Sequence, residues 1–113
     1  MENLWEVTPS NMALHEPPPI KYLHLSDRKI AFRHLQGKSP TIIYVGGFLS
    51  TMEIHKAVVL EQYAKKCGRA FIRYDQASCG LSTGIERKYA TNETWIQDAI
   101  AMMDNVAQKG ITL

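Results

Sequence analysis

The sequence predicts an α/β fold, in which a β-hairpin is followed by alternating strands and helices on a parallel sheet. After two short β-like runs, continuous apolar runs alternate with segments whose apolar residues recur every three or four positions. Such alternation is typical of parallel strands joined by right-handed helical crossovers. The chain has 113 residues, 45% hydrophobic and 21% charged, which suits a single domain.

The N-terminal elements are an extended arm and a hairpin. Residues 1–19 have weak periodicity and end in three prolines, which exclude helix and strand ladders, so we interpret them as an arm. Residues 20–113 form the predicted domain. It begins with strands at Tyr22–Leu25 and Lys29–Leu35, joined by a turn at residues 26–28.

The first strand–helix unit follows a predicted loop at residues 36–40. Thr41–Val45 is an apolar, β-branched run, as expected of a strand buried on both faces. After Gly46 and Gly47, Ser50 and Glu53 have the spacing of a capping box at a helix start. The helix ends at Gly68, and its predicted apolar face comprises Ala57, Leu60, Ala64 and Cys67.

The second unit starts with a strand at Ala70–Tyr74, which runs into a glycine- and serine-rich loop at residues 75–84. A helix over Thr91–Lys109 and a strand starting at Ile111 complete the pattern. The apolar face predicted for this helix comprises Ile96, Ala99, Ile100, Met103 and Val106.

Composition excludes several functions. The formal charge of +2 comes from interspersed residues without a basic stripe, so nothing indicates nucleic-acid binding. No apolar run has the length of a membrane span. Cys67 and Cys79 match no metal motif and are expected to be free thiols, and we predict neither a metal nor a cofactor. Residues 1–6 lack the character of a secretory signal or a mitochondrial presequence, so either the protein is cytosolic or its native N-terminus lies elsewhere.

Gly80–Gly84 is a literal G-x-S-x-G, the pattern of a serine nucleophile at a strand-to-helix turn. Such a serine needs a histidine later in the chain, yet the four histidines, at positions 15, 24, 34 and 55, all precede Ser82. The residues after Ser82 also lack the apolar period of a helix. We therefore expect Ser82 not to be a nucleophile.

Two loops leave the carboxyl ends of the predicted parallel strands, where open α/β sheets bind ligands. In the first, Gly46 and Gly47 would let the backbone approach a ligand, and free N–H groups there could hold an oxyanion; a tight turn without a ligand is the alternative. In the second, Asp75 could bind a ribose, but the required G-x-G-x-x-G is missing from the first loop. We expect the Asp75 carboxylate to accept N–H bonds from its own loop.

These loops, with the strand order, resemble the N-terminal half of the α/β-hydrolase fold. Gly46-Gly47-Phe48 corresponds to the family's His-Gly-x oxyanion turn, with Gly46 in place of the histidine. Asp75 through Gly80 and Ser82 resembles the D-x-x-G-x-G-x-S loop, with Ser78 in place of its first glycine. The resemblance makes Asp75, Gly80 and Ser82 structural loop residues.

Residues 37–50 more narrowly resemble the mitochondrial palmitoyl-protein thioesterases of this fold, also described as acyl-glucuronide esterases. The resemblance implies hydrolysis of acyl thioesters or carboxyl esters through an acyl-serine, with the Phe48 N–H in the oxyanion hole and a mitochondrial location. It places the triad serine, acid and histidine beyond Leu113, so we expect an N-terminal fragment that is inactive alone. The alternative is a non-catalytic module that pairs through its unfinished sheet edge, and a truncated chain is expected to self-associate.

Overall fold

A computed structural model describes residues 16–47 and 50–107, which form a mixed sheet with an α-helix on each face. The strands are β1 (Lys21–His24), β2 (Lys29–Leu35), β3 (Lys38–Tyr44) and β4 (Arg69–Tyr74). The helices are α1 (His55–Lys66) and α2 (Asn92–Asn105), and a short 3-10 helix spans Arg87–Tyr89. No helix within these residues is long and apolar enough to cross a membrane.

The sheet has the order β1-β2-β4-β3. β1 and β2 form the predicted antiparallel hairpin, closed by a hydrogen bond of 2.8 Å from the Leu25 N–H to the Arg28 carbonyl. β2 then pairs antiparallel with β4, and β4 pairs parallel with β3. The parallel pair is joined by α1, as predicted for a strand–helix–strand unit. The predicted α/β class is therefore confirmed.

β3 differs from its prediction in length and burial. Residues 38–40 were expected in a loop but belong to the strand, because Lys38 pairs with Arg69 of β4 and donates its N–H to the Gly68 carbonyl. The predicted burial on both faces is wrong: Thr41 and Ile43 are buried, whereas Ile42 is 40% exposed. The strand thus has one covered face and one open face in the part of the chain described.

The two helices cover opposite faces of β4, because successive side chains of a strand point to opposite sides. Ile72 and Tyr74 pack with Met102 of α2 in the main core, which also contains Ile30, Phe32 and Ile43. Arg73 points the other way and meets Glu61 of α1. Ala57 and Ala64 of α1 are fully buried on that side.

The predicted start of α1 is wrong. The helix begins at His55, its N-cap is Ile54, and no side chain caps it, so Ser50 and Glu53 do not form a capping box. Glu53 instead accepts a 2.7 Å hydrogen bond from the Arg33 side chain of β2. An ion pair across the fold thus replaces the local cap. The predicted apolar face is correct at its alanines, but Cys67 is exposed and Glu61 is buried.

α2 is capped at Thr91 by a capping box with Thr94, and it ends at Asn105 rather than at Lys109. Its predicted apolar face is partly wrong, because Ile96 and Ile100 are 60% and 45% exposed. The helix is rotated so that Asp98 and Met102 are buried instead. The Arg28 guanidinium, which pairs with Asp98, holds this face inward. The strand predicted at Ile111 and residues 1–15 of the arm lie outside the described residues.

Candidate functional site

The two candidate loops lie side by side, because β3 and β4 are parallel neighbours and their carboxyl ends meet at one edge of the sheet. Gly46 and Gly47 follow β3, and Asp75 follows β4 directly. The Gln76 side-chain amide donates a hydrogen bond of 3.3 Å to the Gly46 carbonyl across the gap. Phe48, the proposed oxyanion donor, lies outside the described residues.

Neither glycine of the first loop is required by the local backbone. Both lack the positive φ that favours glycine, unlike Gly68, Gly80 and Gly84. A Cβ placed on Gly47 would meet no atom within 4 Å apart from its chain neighbours, and one on Gly46 would make ordinary contacts with Ser50 and Tyr44. Among the described residues, neither backbone conformation nor steric contact therefore requires glycine at these two positions.

The Asp75 carboxylate connects the two loops. It is 1% exposed, and its Oδ1 accepts a hydrogen bond of 2.7 Å from the Met52 N–H of the first loop. Its Oδ2 accepts one of 2.9 Å from the Leu81 N–H of its own loop. Gly80 packs so closely that an added Cβ would lie 2.3 Å from Oδ2. The carboxylate is thus enclosed by backbone on both sides, with no open approach for a ribose.

Ser82 is buried and both functions of its hydroxyl are used. The Oγ donates a hydrogen bond of 2.5 Å to the Asp75 carbonyl and accepts one of 2.9 Å from the Ala31 N–H of β2. The next residue, Thr83, forms a two-way backbone bridge with Lys29. Since the only hydroxyl proton points at a carbonyl, this serine has no base to activate it in the described chain. It fastens the second loop to the sheet.

A buried ion pair behind the loops was missed by the sequence reasoning. Arg73 is 1% exposed and Glu61 fully buried, and two hydrogen bonds of 3.0 Å join guanidinium and carboxylate side by side. The remaining nitrogen of the guanidinium, Nη1, donates a hydrogen bond of 2.7 Å to the Met52 carbonyl. The available signal was the opposite charges of Arg73 and Glu61 on two faces that are otherwise apolar and pack together.

A second buried pair secures the loop after β4 from the α2 side. Asp98 accepts a hydrogen bond of 2.8 Å from the Arg28 side chain and one of 2.7 Å from the Ala77 N–H. Burial raises the pKa of the Asp98 carboxyl, although the Ala77 N–H and Arg28 act in the opposite direction. The Trp95 indole N–H donates a hydrogen bond of 2.9 Å to the Ala77 carbonyl, so side chains of α2 bind both the backbone N–H and the backbone carbonyl of Ala77.

Within residues 16–47 and 50–107, no three histidine, cysteine or acidic side chains converge as a metal site requires. Both cysteines are free thiols, Cys67 exposed and Cys79 buried. At the carboxyl ends of β3 and β4, the described residues form a glycine turn that is held by hydrogen bonds with Asp75 and Gln76.

Comparison with solved structures identifies this arrangement. The structure of α/β hydrolase domain-containing protein 10 from mouse matches 82% of the chain with a TM-score of 0.79 and 35% sequence identity. The described chain has the N-terminal part of an α/β-hydrolase fold. A putative hydrolase from Agrobacterium vitis S4 matches 76% of the chain at 30% identity with a TM-score of 0.67. Est1E from Butyrivibrio proteoclasticus, at 22% identity and a TM-score of 0.68, shares the α/β-hydrolase fold.

The chain is also similar to curated proteins that are named palmitoyl-protein thioesterase ABHD10, mitochondrial. The mouse protein named palmitoyl-protein thioesterase ABHD10, mitochondrial, is 35% identical over 97 residues, and its rat counterpart is 37% identical over 79 residues. The matches span 85% and 70% of this chain but only 32% and 26% of the relatives. The chain thus spans about a third or less of the relatives' length. No protein-family model matches it. The names of these relatives describe enzymes rather than non-catalytic interaction modules.

Proposed function

We propose that this chain forms the N-terminal part of a serine hydrolase that cleaves acyl thioesters or carboxyl esters through an acyl-serine. The observation that carries the proposal is the open Gly46–Gly47 turn at the carboxyl end of β3, held by contacts from β4. The relatives' name, palmitoyl-protein thioesterase, supports a long-chain acyl thioester as the substrate. Acyl glucuronides are the carboxyl-ester alternative.

The proposed role of this part is to stabilise charge. When a serine attacks the acyl carbon, a histidine takes the serine's hydroxyl proton and the carbonyl oxygen becomes an oxyanion. The oxyanion then collapses, the bond to the thiolate or alkoxide breaks, and the histidine gives its proton to that leaving group. Water releases the acid from the acyl-serine by the same steps. The Phe48 N–H, next to the open glycine turn, would donate to that oxyanion. The serine, histidine and acid would come from residues outside this sequence.

The isolated 113-residue chain is therefore expected to turn over neither p-nitrophenyl esters nor palmitoyl thioesters above background. Ser82, its only G-x-S-x-G serine, has its hydroxyl proton committed to the Asp75 carbonyl. A fluorophosphonate probe should leave the chain unlabelled. Labelling that disappears in Ser82→Ala would contradict both the inactivity and the structural role of Ser82.

The function of the turn can be tested in a hybrid enzyme. Residues 16–107 of this chain would replace the matching stretch of the mouse thioesterase, and hydrolysis of a palmitoyl thioester would be measured. Phe48→Pro removes the backbone N–H and should lower kcat by about 100- to 1,000-fold. Phe48→Ala, the matched control, keeps the N–H and should retain most of the activity. Equal activity of the two variants would exclude the Phe48 N–H from the oxyanion hole.

We extend the proposal to location. The curated relatives carry "mitochondrial" in their names, which supports a mitochondrial site of action for the protein that contains this chain. Fractionation of cells that express the native gene, followed by protease protection of the organelle fraction, tests it. Recovery of the protein only in the cytosolic fraction would contradict the proposal.

A further inference from the structure

Three side chains at the carboxyl end of β4 bind the backbone of the first loop, and Arg33 of β2 binds its Glu53 side chain. Arg73 donates to the Met52 carbonyl at 2.7 Å, and Asp75 accepts from the Met52 N–H at 2.7 Å. Gln76 donates to the Gly46 carbonyl at 3.3 Å. The backbone N–H and carbonyl of Met52, whose side chain is fully buried, are thus both fixed, the carbonyl by Arg73 of β4 and the N–H by Asp75, which directly follows the strand.

The Arg73 side chain is itself fixed by Glu61. A guanidinium is planar, and its two parallel bonds to a carboxylate set the direction of the third nitrogen. That third nitrogen points at the loop rather than at the sheet. The Arg73 Nη1 also lies 3.6 Å from the Glu53 carboxylate, so the guanidinium contacts two successive residues of the loop. A lysine could supply the charge but not this geometry.

We propose that Arg73, oriented by Glu61, is a positioning residue that fixes the backbone of the Gly46–Gly47 turn through Met52. The catalytic role of this positioning rests on the proposed function, since a turn that binds an oxyanion must already be in place when the negative charge develops. The positioning itself is a property of the free chain. It can therefore be measured without turnover, so its failure is distinguishable from failure of the proposed hydrolase activity.

Amide hydrogen exchange, followed by NMR, tests the proposal on the 113-residue chain. Two protected amides report on the loop: Ser50, bonded to the Gly47 carbonyl at 3.1 Å, and Met52, bonded to Asp75. The Asp75 amide, bonded to the Ala31 carbonyl, reports on opening of the sheet. In Arg73→Lys, exchange at Ser50 and Met52 should accelerate about tenfold more than at Asp75. Arg28→Lys, the matched control, breaks the other buried pair and should leave that ratio unchanged.

A second variant keeps the test decisive if Arg73→Lys does not fold. The double substitution Arg73→Met with Glu61→Leu removes both charges, so no unpaired ion is left buried and the fold is retained. It should show the same selective acceleration at Ser50 and Met52. Acceleration at these two amides no greater than at Asp75, in either folded variant, overturns the positioning role and leaves the pair as a packing feature.

Discussion

Ser78 holds a backbone conformation that suits glycine. Its φ is 69°, and no other non-glycine residue of the described chain has a positive φ. The Oγ is buried without a hydrogen-bond partner, so the side chain gains nothing from the position. This is the position at which the sequence departs from the glycine of the α/β-hydrolase loop motif. Serine at this position therefore costs the folded chain conformational free energy that glycine would not.

Ser78→Gly is expected to stabilise the chain by about 0.5–1 kcal/mol, because relief of the left-handed strain exceeds the added entropy of the unfolded glycine. Urea unfolding measures the difference in free energy. Ser78→Ala is the control, since it removes the hydroxyl but keeps the Cβ at the same φ. If alanine stabilises as much as glycine, the unpartnered hydroxyl rather than the backbone is the source.

His34 gives the stability a dependence on pH. Burial lowers the pKa of its ring, the nearby Lys21 charge adds to the effect, and Nε2 is buried without a partner. The folded state thus binds the proton more weakly than the unfolded chain. The stability that neutral His34 contributes is complete above its pKa of about 6.5 in the unfolded chain. This contribution is lost as the pH falls through the lower pKa of His34 in the folded chain.

The urea midpoint of the native chain should therefore fall more than that of His34→Gln between about pH 7.5 and 5.5. Lys21→Gln, which removes the second cause, should show a smaller fall than the native chain. Parallel pH dependence in the native chain and in His34→Gln would assign the loss to other groups.

At the scale of elements, α1 starts without a cap. Ile54 occupies the N-cap position, is 40% exposed and makes no side-chain hydrogen bond to the helix. Ile54→Asp would place an acceptor and a negative charge at the helix start, and we expect a gain of about 0.5–1 kcal/mol in unfolding free energy. Ile54→Ala provides neither and should give no gain. A loss on Ile54→Asp would show that the isoleucine packing outweighs a cap.

The loop after β4 depends on the Asp75 carboxylate. Asp75→Ala leaves the Met52 and Leu81 N–H groups without their acceptor and should cost about 1–3 kcal/mol. Asp27→Ala removes a carboxylate whose side chain is 57% exposed and should cost at most about 1 kcal/mol. Melting curves of the two variants give the comparison. Equal stability of Asp75→Ala and the native chain would show that contacts other than those of the Asp75 carboxylate stabilise the loop.

The elements that sequence reasoning predicted well are those decided by local pattern. β2 was placed at its observed ends, because alternation and turn residues flank it. The start of α1 was missed because Glu53 has a distant partner in Arg33 that outweighs a local cap. The rotation of α2 was missed for the same reason, since Asp98 is buried by an arginine 70 residues away. In the candidate site, the loops followed from strand order, but the Arg73–Glu61 pair depends on contact between elements.

At the scale of the molecule, the sheet ends on an open strand. β3 pairs only with β4 among the described residues, and Ile42 and Val45 are 40% and 49% exposed. The charge and the proline of β3, Lys38 and Pro40, lie at its N-terminal end, whereas residues 41–45 contain neither and so leave the rest of the edge unprotected against pairing with another chain. We therefore expect the 113-residue chain to self-associate in size-exclusion chromatography. Ile42→Lys should reduce the association, because this side chain is exposed on the open strand. Ile30 is not a suitable position for the same substitution, because it is buried in the core. A clean monomer with a sharp melting transition would show a self-sufficient domain.

The ion pair between Arg28 and Asp98 has a consequence for biosynthesis. Its members are 70 residues apart, and β2 pairs with β4 rather than with the strand that follows it. A ribosome therefore makes the hairpin first, yet β4 and α2 must emerge before its neighbours are in place. Until then the Arg28 guanidinium has only the neighbouring Asp27 carboxylate as a partner, and the hairpin has only its own ladder and turn to hold it. The earliest part of the domain to be made is thus among the last to be secured.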